Sequence, residues 1–242
     1  MDGMNSETRR AYRYYDLVMA LFVTVLLTSN LLSSAKIVDL KSSLGPIALA
    51  FDAGTIVFPI SYIFGDVLTE VYGYRRSRRV IWAGFGANVL LAFLVWLVGV
   101  LPGESEWMDY AGQEAYDAIL GGISGLIVAS LVAYFLGEFS NSYVLAKMKV
   151  WSGGRHLWMR TIGSTLVGQA IDTTVFMLIA TALGVFPLEI MVSLIVTNYI
   201  LKVGFEAALT PLTYRVVNVL KAAENEDYFD RETDFNPFKL NV

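Results

Sequence analysis

The sequence predicts an all-α integral membrane protein, a bundle of six transmembrane helices with both termini in the cytoplasm. Of its 242 residues, 55% are hydrophobic and only 17% are charged, whereas a soluble domain carries roughly 25% charged residues. The apolar residues form six long runs, and each reaches or approaches the ~20 residues that cross the hydrocarbon layer of a bilayer. The basic residues concentrate at alternate boundaries of these runs, as expected for a membrane protein oriented by cytoplasmic positive charge.

Six apolar runs define the expected spans. They are Leu17–Val38, Ile47–Leu68, Val80–Leu101, Ile119–Leu136, Met159–Leu183 and Leu188–Leu212. The first is longer than the roughly 7–15 apolar residues of a secretory signal, so we expect no cleavage after Ser33-Ser34-Ala35. Pro59 lies within the second run, where its missing backbone N–H predicts a kink or an interruption. The fourth run is short and is expected to continue as helix, up to Lys147.

The distribution of arginine and lysine predicts the orientation. Four groups of basic residues fall on one side of a six-span bundle: those of the N-terminal arm, the loop after span two, the segment between spans four and five, and the C-terminal region. Lys36 and Lys41 fall on the other side. By the positive-inside rule, we expect a cytoplasmic arm (1–13), a six-helix transmembrane domain (14–221) and an acidic cytoplasmic tail (222–242). Such a chain is a multi-pass protein of the cell (inner) membrane, surrounded by the lipid bilayer.

The composition excludes several kinds of chemistry. The chain has no cysteine, and its one histidine, His156, lies in a polar loop, so we expect no catalytic residues, no metal site and no cofactor. The formal net charge is −4 and the basic residues lie at membrane boundaries, so nucleic acid is not an expected partner. Neither a Walker A motif nor GxGxxG occurs, so the chain has no recognisable site for nucleotide hydrolysis.

Polar and ionisable side chains recur inside the expected spans. An ionisable group costs at least a few kcal/mol there and therefore usually faces a cavity. Four-residue spacing places several of these groups on shared helix faces. The polar and ionisable residues of interest are Tyr62, Asp66 and Glu70 in span two, Arg160, Gln169 and Asp172 in span five, Asn198, Lys202 and Glu206 in span six, Asn30 in span one and Glu138 in span four. We interpret them as a polar column that suits a molecule passing through the membrane. The alternative is that they hold helices together.

Several long motifs follow one another along the chain. They are Phe58-Pro59-Ile60-Ser61-Tyr62, Glu70-Val71-Tyr72-Gly73, Gly137-Glu138-Phe139, Arg160-Thr161-Ile162-Gly163-Ser164-Thr165, Asn198-Tyr199 and Pro211-Leu212-Thr213-Tyr214. In this order the motifs resemble those of the queuosine precursor transporter family, also called the vitamin uptake transporter family. The resemblance covers roughly residues 14–221. It implies six helices and uptake of a purine-like 7-deazaguanine (preQ0, preQ1 or queuine) for salvage into modified tRNA.

A 7-deazaguanine gives chemical sense to the polar column. Its guanine-type edge offers adjacent N–H groups to a carboxylate, its carbonyl needs a donor, and its flat face suits an aromatic wall. The expected substrate-binding residues are Asn30, Phe58, Tyr62, Asp66, Gln169, Asp172, Asn198 and Lys202, and the expected gate or ion-pair residues are Glu70, Glu138, Arg160 and Glu206. We expect Asp172 to recognise the base and Asp66 to serve the gate. With Glu206 one turn away and Asp66 nearby, Lys202 is expected to stay charged and to organise a carboxylate for ligand binding or opening. The alternative is that it only pairs with Glu206 or Asp66 and so holds helices together.

Two other functions stay open on the sequence. The chain could be a substrate-binding subunit that needs an external ATP-driven partner, since this would have the same spans and the same ligand. An intramembrane hydrolase using Glu70 or Glu138 lacks the histidine or cysteine partner it would need. Small residues in span four (Gly121, Gly122, Gly125 and Ala129) permit close helix approach and hence a homodimer.

Overall fold

A computed structural model describes residues 12–44, 47–121, 123–184 and 187–239. Over these residues the chain forms eight helices and one antiparallel pair of strands. The elements are α1 (Tyr15–Ala35), β1 (Ile37–Leu44), β2 (Ile47–Asp52), α2 (Phe58–Tyr72), α3 (Tyr74–Gly99), α4 (Ser105–Tyr110), α5 (Gly112–Tyr116), α6 (Ile123–Ser152), α7 (Leu157–Ala182) and α8 (Leu188–Glu224). A 3-10 turn, Ala53–Ile56, joins β2 to α2, and a single π turn, Asp117–Gly121, lies between α5 and α6.

The exposure of side chains is reversed relative to a soluble protein. Large apolar side chains such as Trp96 and Val192 are exposed, whereas the carboxylates of Asp66 and Glu206 are fully buried. Four helices (α1, α3, α7 and α8) are long and apolar enough to cross a membrane. The helical bundle is therefore that of a multi-pass membrane protein, and the count of six spans and the cytoplasmic position of both termini remain predictions.

The predicted helix of span two is wrong over its first part. Residues Ile47–Asp52 form strand β2, which pairs with β1 so that Ile37 lies opposite Asp52. The Asp52 carboxylate then caps the 3-10 turn by accepting from the Thr55 N–H at 3.2 Å.

Pro59 consequently lies in the first turn of α2, where its missing N–H breaks no helical hydrogen bond. It starts a helix instead of kinking one. Helix α2 has 15 residues and is about 22 Å long, shorter than the ~30 Å hydrocarbon layer.

The other spans differ from their predicted bounds mainly at their ends. Helix α1 ends at Ala35 because the chain becomes extended at Lys36. Helix α6 includes Lys147 as expected and continues to Ser152, and α8 continues past Pro211 to Glu224. Of the small residues proposed for a dimer contact, Gly122 lies outside the described residues and Ala129 is fully buried within its own chain. Ala129 therefore gives the homodimer no support.

Helices α6 and α7 pack closely because a glycine of each helix lies in the contact between them. A Cβ atom on Gly137 would lie 2.7 Å from the Cβ of Asp172, and one on Gly168 would lie 2.8 Å from the Cβ of Asn141. Real Cβ atoms do not approach so closely, so larger residues would push the helices apart. This contact holds Asp172 of α7 against α6 and Asn141 of α6 against α7.

The acidic tail packs against the end of the bundle where α2 meets α3. Gly73, with φ +84°, forms the α2–α3 corner, and a Cβ atom there would lie 2.2 Å from the ring of Tyr228. The Asp230 carboxylate accepts from the Tyr74 N–H at 3.0 Å, and the Trp82 indole N–H donates to the Pro237 carbonyl at 2.8 Å. These contacts fix residues 228–237 on the bundle surface.

Candidate functional site

A cavity of about 290 Å³ lies between the strand pair and the half of the helix bundle nearest to it. It is at the lower end of the size range of small-molecule sites, roughly 300–1,000 Å³. Its wall combines apolar side chains, among them Phe58, Phe176 and Met177, with polar ones. The polar lining residues are Asn30, Ser33, Ser34, Asp52, Asn88, Ser130, Asp172, Thr173, Asn198 and Lys202. A few convergent polar groups in an apolar pocket are typical of a binding site for a small organic molecule.

An ion pair between α7 and α8 forms part of the cavity wall. Lys202 Nζ donates to Asp172 Oδ2 at 3.0 Å and lies 4.6 Å from the centroid of the Phe58 ring. Phe58 in turn stacks on Tyr62. The alternative in which Lys202 pairs with Glu206 or Asp66 is therefore not what the structure shows, because its ion pair is with Asp172 of α7. The pair presents an acceptor, a donor and an aromatic face side by side.

Three amide side chains add neutral donors and acceptors to the wall. Asn30 Nδ2 donates to Asn88 Oδ1 at 2.7 Å, and Ser130 Oγ donates to Asn30 Oδ1 at 3.3 Å. Asn198 Oδ1 lies 3.3 Å from Thr55 Oγ1. These contacts join α1, α3 and α6 on one side of the cavity, and the 3-10 turn and α8 on the other.

Asp52 and Asn88 are among the lining residues that were not predicted from the sequence. Asn88 interrupts the apolar run of span three, and the reasoning that selected Asn30 applies to it equally. Asp52 was placed inside the expected helix of span two, near its outer end. Only the strand pair, which reverses the chain after α1, brings Asp52 to Ser33 and so to the cavity.

Three buried carboxylates lie below the cavity. We call Asp66 on α2, Glu138 on α6 and Glu206 on α8 the carboxylate layer. Asp66 Oδ1 accepts from Asn141 Nδ2 at 3.0 Å. Asp66 Oδ2, Glu138 Oε2 and both oxygens of Glu206 have no hydrogen-bond partner in the described part of the chain. Because burying an unpaired charge is costly, these groups make the centre of the bundle sensitive to protonation or hydration.

A second group of charges closes the end of the bundle farthest from the cavity. We call Glu70, Lys149, Arg160, Lys221 and Asp227 the Glu70 cluster. Glu70 Oε1 lies 2.8 Å from Arg160 NH2, 2.7 Å from Lys221 Nζ and 3.4 Å from Lys149 Nζ, and Asp227 bridges both lysines. Phe58 and Glu70 are twelve residues apart on α2, so about 18 Å separates the cavity from this cluster.

The structure thus sorts the predicted site residues into three levels. Asn30, Phe58, Asp172, Asn198 and Lys202 line the cavity. Tyr62, Asp66 and Gln169 are buried and do not belong to its wall, and Gln169 Oε1 has no hydrogen-bond partner among the described residues. Asp66, Glu138 and Glu206 lie in the carboxylate layer, and Glu70 and Arg160 lie in the Glu70 cluster. The three levels follow one another along α2, α6 and α8, whereas α7 contributes Asp172 to the cavity and Arg160 to the Glu70 cluster.

Comparison with known proteins places this arrangement in a family. A family model described as "Putative vitamin uptake transporter" matches residues 52–216. The chain is 29% identical over 194 residues to a protein of Bacillus subtilis (strain 168) named "Probable queuosine precursor transporter", which covers 80% of this chain and 79% of that protein. It is 24% identical over 127 residues to the "Queuosine precursor transporter" of Escherichia coli (strain K12), covering 52% of this chain and 53% of that protein. No solved structure gives a significant match.

The family match begins at the end of β2 and extends through most of α8. It therefore includes the ion pair, the carboxylate layer and the Glu70–Arg160 contact, and leaves out the tail that packs on them. A match of this extent identifies the family, which is one of transporters and not of enzymes. The chain belongs to the vitamin uptake transporter family.

Proposed function

We propose that the chain imports a queuosine precursor, a 7-deazaguanine base, across the inner membrane, with both termini in the cytoplasm. Two relatives are named for queuosine precursor transport. The observation that carries the proposal for this chain is the Asp172–Lys202 pair beside Phe58 in the cavity wall. A guanine-type edge carries N–H donors next to a carbonyl acceptor, so it complements a carboxylate beside an ammonium group.

The binding pose follows from this complementarity. The Asp172 carboxylate accepts from the ring N–H and from the exocyclic amine of the base, one with each oxygen, because the oxygen that Lys202 contacts keeps a second lone pair. The Lys202 ammonium group keeps two further protons, and one of them donates to the carbonyl of the base. The Phe58 ring packs on the flat face, and the amides of Asn30, Asn88 and Asn198 serve the remaining polar atoms.

The transport cycle follows from the closure of one end. With the predicted orientation, the cavity lies in the outer half of the membrane and the Glu70 cluster lies at the cytoplasmic boundary. The structure then corresponds to a state in which the base enters from outside and the Glu70 cluster blocks release inside. Opening of that cluster, with closure around the strand pair, delivers the base to the cytoplasm.

Uptake by the purified chain tests the proposal. Proteoliposomes that contain only this protein should accumulate or exchange radiolabelled preQ1 or queuine without ATP. Asp172→Asn should weaken binding of the base by about 30- to 1000-fold, because one acceptor oxygen becomes a donor that faces a ligand N–H. Asp109→Asn, at an exposed position of α4, is the matched control and should leave affinity unchanged.

The outcomes separate the competing functions. Binding without transport, together with co-purification of an ATPase, would favour the substrate-binding subunit. Absence of binding by well-folded protein would reject the proposal. A homodimer through span four would appear as a larger particle in size-exclusion chromatography with light scattering.

A further inference from the structure

The charges that line the cavity do not balance. Asp52 and Asp172 are carboxylates, and Lys202 is the one cationic side chain among the lining residues that the structure describes. Lys202 pairs with Asp172 at 3.0 Å. Asp52 makes no ion pair within the described ranges, so the cavity carries one formal negative charge in excess. A pocket of this kind favours a cationic ligand over a neutral one of the same shape.

Neutral donors alone hold Asp52. Ser33 Oγ donates to Asp52 Oδ1 at 2.5 Å, the Thr55 N–H donates to the same oxygen at 3.2 Å, and Thr55 Oγ1 donates to Oδ2 at 3.0 Å. These contacts fix the carboxylate against the cavity wall without neutralising its charge. Asparagine could keep an acceptor oxygen for Ser33 and for the Thr55 N–H, so the capping role of Asp52 does not by itself require a charge.

Asp52 lies close to the ion pair along a short chain of contacts. Thr55 Oγ1, which donates to Asp52, lies 3.3 Å from Asn198 Oδ1. Asn198 precedes Lys202 by four residues on α8, so one helical turn of about 6 Å separates them. Asp52 and the Asp172–Lys202 pair therefore occupy neighbouring levels of one cavity, as needed to contact two ends of one small molecule.

We propose that the cavity selects the cationic precursors, 7-deazaguanines whose 7-substituent carries a protonated amine, and that Asp52 determines this specificity by accepting from that ammonium group. The inference rests on the proposed function, since it assumes that the base binds at Asp172 and Lys202. PreQ1 bears an aminomethyl group and meets the requirement. PreQ0 bears a neutral nitrile and does not. A bound cation would bring the formal charge of the cavity to zero.

Calorimetry on the purified chain tests the proposal with three ligands. PreQ1, preQ0 and 7-hydroxymethyl-7-deazaguanine share one ring, and the hydroxymethyl compound is a neutral near-isostere of preQ1. We expect preQ1 to bind about 10- to 100-fold more tightly than either neutral base, as for one charge-assisted hydrogen bond. Asp52→Asn should lower the affinity for preQ1 by a similar factor and leave the affinity for the neutral bases within about threefold.

Asp39→Asn is the matched control. Asp39 lies on β1 of the same strand pair, is exposed and does not line the cavity, so its variant should keep the preference for preQ1. Equal affinity of the wild-type chain for all three ligands would overturn the proposal, and this comparison needs no variant to fold. A parallel loss for charged and neutral bases in Asp52→Asn would also overturn it, because Asp52 would then only support the 3-10 turn. If folded wild-type protein bound none of the three, the proposed function itself would fail.

Discussion

The Arg160 guanidinium group donates to the Glu70 carboxylate from two nitrogens: NH2 lies 2.8 Å from Oε1 and Nε lies 3.3 Å from Oε2. Both side chains are almost completely buried. The contact joins α2 to α7, and Lys221 joins α8 to the same carboxylate at 2.7 Å. Lys149 of α6 lies 3.4 Å from the same oxygen, so a single glutamate joins four helices at the end of the bundle opposite the cavity. A movement of α2 away from α7 at this end must separate Glu70 from Arg160.

Neutralising Glu70 should strongly destabilise the protein. Glu70→Gln would leave Arg160, Lys149 and Lys221 without their central anion, and breaking a buried ion pair costs about 3–5 kcal/mol. We expect a large fall in the unfolding temperature in detergent, which a dye-based thermal scan would measure.

Glu206→Gln is the matched comparison for Glu70→Gln. Glu206 is as completely buried as Glu70, but neither of its oxygens has a hydrogen-bond partner among the residues that the structure describes. An amide there removes an unpaired acid at no cost in ion pairs, so the unfolding temperature should stay equal or rise. Equal losses of stability in the two variants would contradict the assignment of Glu70 as the centre of the cluster.

A single and a double variant should separate the structural role of the Asp172–Lys202 pair from its role in binding the base. Lys202→Met leaves a carboxylate without its cation, at a cost of about 2–3 kcal/mol for a pair that keeps some access to the cavity. The double variant Lys202→Met with Asp172→Asn should recover most of that stability, because no charge is left unpaired. Neither variant should bind the base in calorimetry. Normal affinity in the double variant would mean that the pair only holds α7 to α8.

The helices and their polar faces could be predicted from sequence because each rests on local spacing. Asp172, Asn198 and Lys202 reach the cavity since helical periodicity fixes their direction once the helix is known. The pairing of Lys202 could not be predicted, because it depends on the approach of α6, α7 and α8 to one another. The glycines Gly137 and Gly168 set part of that approach, and their effect appears only when the helices are assembled.

The strand pair shows a different limit. The segment 47–57 is as apolar as a transmembrane helix, and hydropathy does not distinguish the two structures. Asp52 was the available signal, since an acidic residue early in an apolar run is typical of a cap. If Asp52 is taken as a cap, the helix is predicted to begin after it, and Asp52 becomes a candidate site residue.

The tail should depend on Asp227 for its attachment. Burial alone would raise the pKa of Asp227, but hydrogen bonds and charge from Lys149 and Lys221 outweigh it and hold the pKa below its ordinary value. A lowered pKa in the folded state stabilises the contact above the ordinary pKa of aspartate, and the contact is lost as the pH falls through the lowered value. The attachment should therefore be constant between pH 6 and 8.5, because this interval lies well above the ordinary aspartate pKa of about 4.

Limited trypsin digestion measures this attachment at Arg231, an exposed residue of the tail. Asp227→Asn should speed cleavage there several-fold, and by the same factor throughout that pH interval. Glu232→Gln removes a charge at an exposed position next to the cleavage site and should change the rate much less. An attachment that weakened steadily towards pH 6 would show that Asp227 is not the controlling group.

The orientation can be tested with single cysteines, because the chain has none of its own. A cysteine in place of Glu106, exposed on α4, should react with an impermeant thiol reagent in whole cells. The first turn of α3, predicted as the loop after span two, is a poor position for the inside probe, since Ser77 is only 1% exposed and would stay unlabelled on either side. Glu232, exposed on the tail, is the better choice: its cysteine should react only after the cells are permeabilised. Labelling of the Glu232 position in intact cells, with protection at Glu106, would reverse the orientation. The cavity would then face the cytoplasm and the Glu70 cluster would close the outer side.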